Sequence, residues 1–581
     1  MEDNNKKKAC CISDVKSKYI LEQILTILKE NRLLNIIRYN TSFQNKLNKS
    51  INDYKTIFLK TEIEIEVEKI KSQNPSEPNE QKEKMDNKFI NIYDKKYYCF
   101  EIYNFDTKEK ILRNYITEKE KKIKIIINYD YKNLSGLFQG CKCIKKINFI
   151  KLNRNDIVDM SYMFNNCLSL EELNLPKFNT ENVTNMSHMF KECLKLKKLN
   201  LTSFNTTNVM NMSYMFHDCH ELKTLDISSF NTNKVTNMKE MFSICKLIKV
   251  LNLSSFNINN VTEIKYMFYQ CKSLKELNIS NFKNNNVTDM SNMFAKCSSL
   301  EELNLSNFLT NNVNNMNNMF DECSSLKELN LSSFNTINVT NMSFMFHKCS
   351  SLKELNISSF NTSNVNNMNS MFYQCSSLKQ LNISSFNTIN VINMNNMFYQ
   401  CSSLETLNLS NFANSNVTDM SYMFYECKLL KEINLSNFNT NNVINMNSMF
   451  AQCSSLKELN LSSFNTNNVI DMSFMFYECF ALKKINLSSF NTINVTNMNS
   501  MFAHCSSIKE LNLSSFNTIN VTNIRSMFKD CLSLEELDIP NFNNQKIEYD
   551  SLSLIFHGCS SLKNLKKLKK KFPRQKDCIC F

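Results

Sequence analysis

Residues 323–348 read CSSLKELNLSSFNTINVTNMSFMFHK, and variants of this 26-residue phrase fill most of the chain. The cysteine that opens the phrase recurs every 26 residues from Cys141 to Cys531, and Cys559 closes the series after 28 residues. A period of this length is typical of repeat arrays, because one unit is too small to bury its own apolar face. The repeat therefore determines the architecture of most of the chain.

Each unit contains the spacing L-x-x-L-x-L, which runs from Leu326 to Leu331 in this copy. Its alternation predicts a short strand, with the leucines inward and Glu328 and Asn330 on the opposite face. Apolar residues at i, i+3, i+6 and i+7 from Val339 predict a short helical turn. The expected fold class is thus an α/β-type repeat solenoid, right-handed, whose coils stack about 4.8 Å apart.

The phrases SFNTINVTNMSFMF and CSSLKELNLSSF resemble the BspA-like leucine-rich repeats. These form the 26-residue repeat of bacterial surface proteins and mycoplasma lipoproteins, which is also abundant in some protists, and the chain looks like a protist-like member. The resemblance covers roughly residues 134–562. It implies a leucine-rich-repeat solenoid used for binding, often in adhesion at a cell surface, and it implies no catalytic residue or particular ligand.

Sulfur side chains occupy conspicuous columns of the repeat. One column contains seventeen of the 23 cysteines, and two others, which include Met342 and Met345, contain 28 of the 31 methionines. A straight ladder offers a zinc ion two thiolates at most, so we interpret the cysteines as buried structural thiols rather than as a metal site or disulfides. The methionines are expected to fill the core rather than to bind copper(I).

The composition argues against several classes of enzyme. The three glycines, Gly136, Gly140 and Gly558, form no phosphate-binding glycine motif. The six histidines are scattered, and they suggest no Ser/His/Asp or Cys/His constellation. We therefore predict a protein that is not an enzyme and that uses no cofactor and no metal.

The outward strand face carries two polar columns. One holds Asn or Asp in every unit, and stacked amides can form a hydrogen-bonded ladder along the solenoid. The other, two residues earlier, is often acidic. A line of carboxylates would favour a basic protein partner and repel nucleic acid, while the alternative is a solvated face. The candidate partner-binding residues are Glu276, Glu302, Glu328, Glu354, Glu432 and Glu458.

The end of the sequence suggests attachment to a membrane. Residues 578–581 read CICF, a C-a-a-X pattern that indicates geranylgeranylation of Cys578. Residues 561–577 hold eight basic residues and one acid, which is +7 of the net charge of +13. One lipid chain plus a basic patch can hold a protein on an anionic membrane surface, whereas the alternative is a solvated tail. The candidate membrane-surface residues are Lys566, Lys567, Lys569, Lys570, Lys571, Arg574 and Lys576.

Prenylation predicts a cytoplasmic protein, peripheral on the inner leaflet. The repeated N-x-[ST] sequons agree with this location, because glycans on successive coils would collide. No apolar run is long enough for a spanning helix. Cys10 and Cys11, beside three lysines, are a further candidate site for palmitoylation.

Five segments are expected along the chain. They are a helical N-terminal module (1–70), a linker (71–88), a small β cap (89–133), the solenoid (134–562) and the basic tail (563–581). The helical module loosely resembles an F-box, although it lacks the usual Leu-Pro opening. The favoured hypothesis is a leucine-rich-repeat scaffold for protein–protein interaction, tethered to a membrane as a lipoprotein. The alternatives are an F-box-like substrate receptor of a ubiquitin ligase and an exported adhesin at the cell surface.

Overall fold

The computed structural model describes two compact units, Met1–Asn208 and Val209–Phe581. Within them it describes residues 17, 19–20, 41–47, 59–70, 80–92, 97–152, 154–175, 179–283, 286–543, 545–552 and 554–572. Most of the segment expected to be a helical module lies outside these residues. So do the proposed lipidation sites Cys10, Cys11 and Cys578, and the basic residues Arg574 and Lys576.

A mixed five-stranded sheet forms the first part of the N-terminal unit. Its strands are β1 Thr61–Val67, β2 Phe100–Asn104, β3 Lys122–Ile127, β4 Ile144–Lys151 and β5 Glu172–Asn174. Their order in the sheet is β2-β3-β1-β4-β5. Strand β1 pairs antiparallel with β3 and with β4, and β4 pairs parallel with β5. The sheet therefore passes from an antiparallel cap into the parallel pairing of the repeats.

The N-terminal boundaries differ from those expected from sequence. Strand β1 lies inside the segment assigned to the helical module, where the structure also describes helix α1 (Thr41–Leu47). A second helix, α2 (Glu80–Asp86), lies inside the expected linker. The sequence of β1, TEIEIEV, buries every second side chain, and Ile63 lies opposite Ile125 of β3. Strand β1 therefore joins the sheet because pairing there buries its alternating apolar side chains.

Each repeat strand is three residues long and turns its middle side chain inward. Residues 302–304 pair in parallel register with residues 328–330, so that Leu303 lies opposite Leu329. The N-terminal unit also contains β6 (Lys198–Asn200). The C-terminal unit contains β7 Thr224–Asp226, β8 Val250–Asn252, β9 Glu276–Asn278, β10 Glu302–Asn304, β11 Glu328–Asn330, β12 Thr406–Asn408, β13 Glu432–Asn434, β14 Glu458–Asn460, β15 Lys484–Asn486, β16 Glu510–Asn512 and β17 Glu536–Asp538.

The segment expected to be a helical turn consists of consecutive tight turns instead. The backbone N–H groups of Phe344 and Phe346 donate to the carbonyls of Asn369 and Met371 in the next coil, each at 2.9 Å. The intervening N–H of Met345 closes a turn within its own coil. A helix would direct these donors along the chain and leave the neighbouring coil unpaired. The fold is therefore a β-solenoid in which turns replace the expected helices.

Left-handed backbone conformations make these turns possible. Positive φ recurs at two positions of the described coils, as at Phe344 and Lys348, both with φ of 57°. Gly136, Gly140 and Gly558 occupy the same two positions in their own coils, with φ between 63° and 75°. A residue other than glycine pays about 1–2 kcal/mol for this conformation. The hydrogen bonds to the next coil offset that strain.

The predicted core columns are confirmed. Leu331, Met342, Met345 and Phe346 have no exposed surface. The ring of Phe346 stacks on the corresponding rings of the adjacent coils, with centroids 5.7 Å and 5.6 Å apart. Side chains of one column thus pack against copies of themselves, and each coil completes the core of its neighbour.

The described cysteines are buried free thiols. Cys349 donates its Sγ–H to the carbonyl of Phe320 at 3.2 Å, and the same contact recurs at most ladder positions, as at Cys375 to Phe346. Burial raises the pKa of the Cys349 thiol well above its usual range. A neutral thiol that packs as a small apolar group is the form that such a site favours.

A short helix, α3 (Leu565–Lys571), follows the last repeats of the C-terminal unit. Leu568 and Phe572 are buried, and the ring of Phe572 lies 6.0 Å from that of Phe556. The basic segment expected to be a tail therefore begins as a cap over the core, because its apolar residues cover the last rung. In the described part of the chain, no helix is long and apolar enough to cross a membrane.

Candidate interaction surface

The six glutamates predicted to bind a partner are all exposed on the strand face. Glu302 and Glu328 lie opposite each other in register, and Glu276 and Glu354 occupy the same position in the coils before and after them. At Glu354 the strand is reduced to a bridge between Asn330 and Asn356. The glutamates thus form a run over four consecutive coils. A shorter run in two coils consists of Glu432 and Glu458.

A column of lysines lies beside the glutamates. The prediction of an acidic line on this face did not include these lysines. Lys327, which precedes Glu328, is exposed, and its Nζ lies 2.5 Å from Glu301 Oε2 in the preceding coil. The hydrogen bond and charge of Lys327 lower the pKa of Glu301, and the same bond raises the pKa of Lys327. An equivalent pair joins Lys431 to Glu405 at 2.7 Å.

The strand face is therefore charge-mixed rather than uniformly acidic. The recurring tetrapeptide K-E-L-N was the available signal, because both charged residues precede the inward leucine. Charges of both signs on one rigid face can discriminate between partners. Each exposed ion pair, however, stabilises the folded state or a complex by only about 0.2–1 kcal/mol.

The asparagine column has a local role in addition to the predicted ladder. Asn330 Oδ1 accepts a hydrogen bond from the backbone N–H of Ser332 at 3.0 Å, an arrangement that recurs in most coils. Bonds between stacked amides are present at some coils, for example from Asn174 to Asn148 at 2.7 Å. Asparagine closes the turn after each strand because its short side chain reaches the N–H two residues ahead.

Shallow depressions lie on the strand face at two places. One, of about 490 Å³, includes Glu276 and Glu302 in its lining. Another, of about 950 Å³, is lined by Lys431, Glu432, Lys457, Glu458 and Lys484, among others. The Nζ of Lys484 lies 3.3 Å from Glu458 Oε1. These depressions offer both signs of charge to a ligand.

Some of the lysines predicted to face a membrane are described by the structure, and these lie on helix α3, which caps the core. Lys566, Lys567 and Lys570 are exposed, and their positions in the helix place them away from the buried Leu568 and Phe572. The structure does not describe the side chains of Lys569 and Lys571. Among the described residues, no cluster of three or more His, Cys, Asp or Glu could hold a metal ion.

The fold and this surface define the class of the protein as a leucine-rich-repeat-type β-solenoid. A family model described as "Mycoplasma protein of unknown function, DUF285" matches residues 132–251, 243–353, 326–411, 403–486 and 479–571. These stretches cover well over half of the chain, so the chain belongs to this family. The match confirms the resemblance to the mycoplasma-type repeat.

The chain is also similar to solved structures of repeat proteins. One is a leucine-rich cell surface protein of Faecalibacterium prausnitzii A2-165, with 15% identity, a TM-score of 0.23, and coverage of 70% of this chain and 76% of that chain. Another is a leucine-rich-repeat protein of Leptospira interrogans, with 15% identity, a TM-score of 0.20, and coverage of 64% and 95%. No match was found among curated proteins.

Proposed function

We propose that this protein is a non-enzymatic scaffold that binds a protein ligand on its strand face. The observation that supports this function is the geometry of the repeat strands. Each strand presents two exposed side chains around one inward residue, and neighbouring strands hold them in register, as in residues 302–304 and 328–330. Such a surface is extended and is ordered before a ligand arrives, which lowers the entropic cost of binding.

The ligand proposed for this face carries basic groups opposite the four-coil glutamate run from Glu276 to Glu354. The adjacent lysines, such as Lys327, would select acidic groups beside them. Because exposed charges contribute little energy individually, we expect them to affect association rate and specificity more than total affinity.

A differential capture experiment tests the strand face. The full chain and a variant with Glu302→Lys and Glu328→Lys would be immobilised and exposed to the same native extract. The matched control carries Glu181→Lys and Glu263→Lys, which make the same charge change at exposed positions outside the strands. The native chain and the control should capture the same proteins, and the strand-face variant should lose them. Equal capture by all three chains would refute the proposed face.

Membrane attachment through Cys578 and the basic C-terminal segment is the second part of the proposal. The exposed lysines of α3 support it, since they form a basic surface opposite the side that caps the core. A single prenyl chain gives marginal and reversible binding, and each basic residue near an anionic surface adds about 1 kcal/mol, screened by salt. The protein would then lie on the cytosolic face of a membrane.

Cell fractionation and intact mass test this attachment. Cys578→Ser should release the protein to the soluble fraction. The intact mass of this variant should lack the geranylgeranyl increment that the native chain carries. Five Lys→Gln changes at 566, 567, 569, 570 and 571 should weaken attachment in a salt-dependent way. Five Lys→Gln changes at 275, 327, 353, 431 and 457 on the strand face are the charge-matched control and should leave attachment intact. A Cys578→Ser protein that stays membrane-bound would contradict the proposal and direct attention to Cys10 and Cys11.

A further inference from the structure

A polar groove of about 550 Å³ runs across several coils of the C-terminal unit, at the corner between the turn segment and the strand. It lies outside the strand-face depressions. Five serines at 26-residue intervals contribute to its lining: Ser298, Ser324, Ser350, Ser376 and Ser402. The equivalent residues before and after this run are Lys272 and Lys428. The groove is thus a local feature of an otherwise uniform array.

The serine hydroxyls donate long hydrogen bonds to the backbone of the preceding coil. Ser350 Oγ lies 3.3 Å from the carbonyl oxygen of Ser324, and Ser376 Oγ lies 3.4 Å from that of Ser350. A hydroxyl that donates one hydrogen bond keeps two lone pairs as acceptors. These half-buried hydroxyls can therefore accept hydrogen bonds from a ligand in the groove.

Two glutamines line the middle of the groove, where Gln374 Nε2 donates to Gln400 Oε1 at 2.5 Å. Each primary amide has two N–H donors and a carbonyl with two lone pairs, so this bond uses a small part of their capacity. The charged residues in the lining are two glutamates and two lysines. Glu322 pairs with Lys348 at 3.3 Å, and Glu426 pairs with Lys428 at 3.1 Å. The groove therefore has no net charge.

Three stacked tyrosines, Tyr373, Tyr399 and Tyr425, each lie one residue before a residue that lines the groove, namely Gln374, Gln400 or Glu426. The ring centroids of Tyr373 and Tyr399 are 4.4 Å apart, and those of Tyr399 and Tyr425 are 4.8 Å apart. In an earlier coil Gln270 Nε2 donates to Tyr269 Oη at 3.0 Å, which shows that a phenol at this position reaches the neighbouring amide. The tyrosines therefore place phenol groups within reach of the side chains that line the groove.

We propose that this groove binds a linear, uncharged oligosaccharide that lies along the solenoid with about one sugar per coil. Hydroxyl, amide and phenol groups both donate and accept, as the hydroxyls of a sugar do, and the absence of net charge disfavours a charged polymer. Coils repeat about every 4.8 Å, close to the advance per sugar in an extended β-1,4-linked pyranose chain. An extended peptide advances about 3.3 Å per residue and falls out of step with the coils.

Calorimetric titration of the full chain with defined oligosaccharides tests this inference. The probes are linear glucose pentamers with β-1,4, β-1,3 or α-1,4 linkages, the matching dimers, a galacturonic acid pentamer and an uncharged extended pentapeptide. At least one neutral pentamer should bind, and at least tenfold more tightly than its dimer. Absence of binding by all neutral pentamers, or tighter binding of the acidic pentamer or the peptide, would overturn the proposal.

Two variants and one matched control locate the site. Gln374→Ala with Gln400→Ala should weaken pentamer binding at least tenfold, and Tyr399→Phe, which removes one hydroxyl, should weaken it severalfold without unfolding. The control, Gln270→Ala with Gln452→Ala, removes the same side chains at the same repeat position outside the groove. Circular dichroism would verify the fold of each chain. Equal affinity in the groove variant and the control would overturn the assignment, whatever the outcome at the strand face.

Discussion

Alkaline pH should destabilise the C-terminal unit through its buried cysteine column. Cys271, Cys375, Cys427 and Cys479 have no more than 1% exposed surface, and burial raises the pKa of each thiol to about 12. Desolvation is the main cause, because a thiolate in this core would lose its hydration. A backbone hydrogen bond from the equivalent cysteine of the preceding coil lowers the pKa of each thiol, but desolvation outweighs it.

The sign of the effect follows from proton binding in the two states. The folded pKa of these thiols lies above the ordinary value of 9.0, so the unfolded chain releases protons first as the pH rises. Their contribution to stability is complete below pH 9 and is lost between pH 9 and about 12. In this window each thiol lowers the free energy of unfolding by roughly 1 kcal/mol per pH unit. The four thiols together lower it by several kcal/mol per unit.

Urea unfolding at pH 8, 9 and 10 under reducing conditions would measure this loss. A variant with Cys375→Ala and Cys427→Ala should be less stable at pH 8, because it loses packing, but its stability should fall less steeply with pH. Met371→Leu is the control, since it alters the same core without removing a titrating group, and it should retain the native pH slope. An alanine variant with an unchanged slope would refute the linkage to the thiols.

Substitutions at a core residue, a buried charge and a strained backbone position should each shift the urea midpoint. Leu331→Ala should cost about 2–5 kcal/mol, and hydrogen exchange should accelerate first in adjacent coils; uniform acceleration would contradict nearest-neighbour coupling. Arg154 has a fully buried side chain that binds Asp156 at 3.0 Å and the carbonyl of Tyr129 at 2.9 Å. Arg154→Met should therefore cost about 3–5 kcal/mol, more than Arg154→Lys. Ile244→Gly should be more stable than Ile244→Ala by about 1 kcal/mol, because residue 244 has φ of 62° and both variants lose the same half-buried side chain; equal stability would contradict the strain.

The repeat, its inward columns and the position of its strand were all predictable from sequence. Leu326, Leu329 and Leu331 reveal a strand through their spacing alone, because side chains alternate between faces within a few residues. The 26-residue period then implies that equivalent residues stack, which places Cys349 and Phe346 in shared buried columns. These features are local or strictly periodic. Comparison of one repeat with the other repeats is therefore sufficient to predict them.

The tertiary structure decided the features that depend on partners in other coils. The spacing after Val339 is compatible with a helix, but its N–H groups find acceptors in the next coil, as Phe346 does at Met371, and tight turns form instead. The same dependence explains the ion pair between Lys327 and Glu301. It also explains the groove, because its floor and wall combine variable positions from coils that are neighbours in space and 26 residues apart in sequence. A local pattern cannot rank such contacts, since their free energy depends on side chains that only folding brings together.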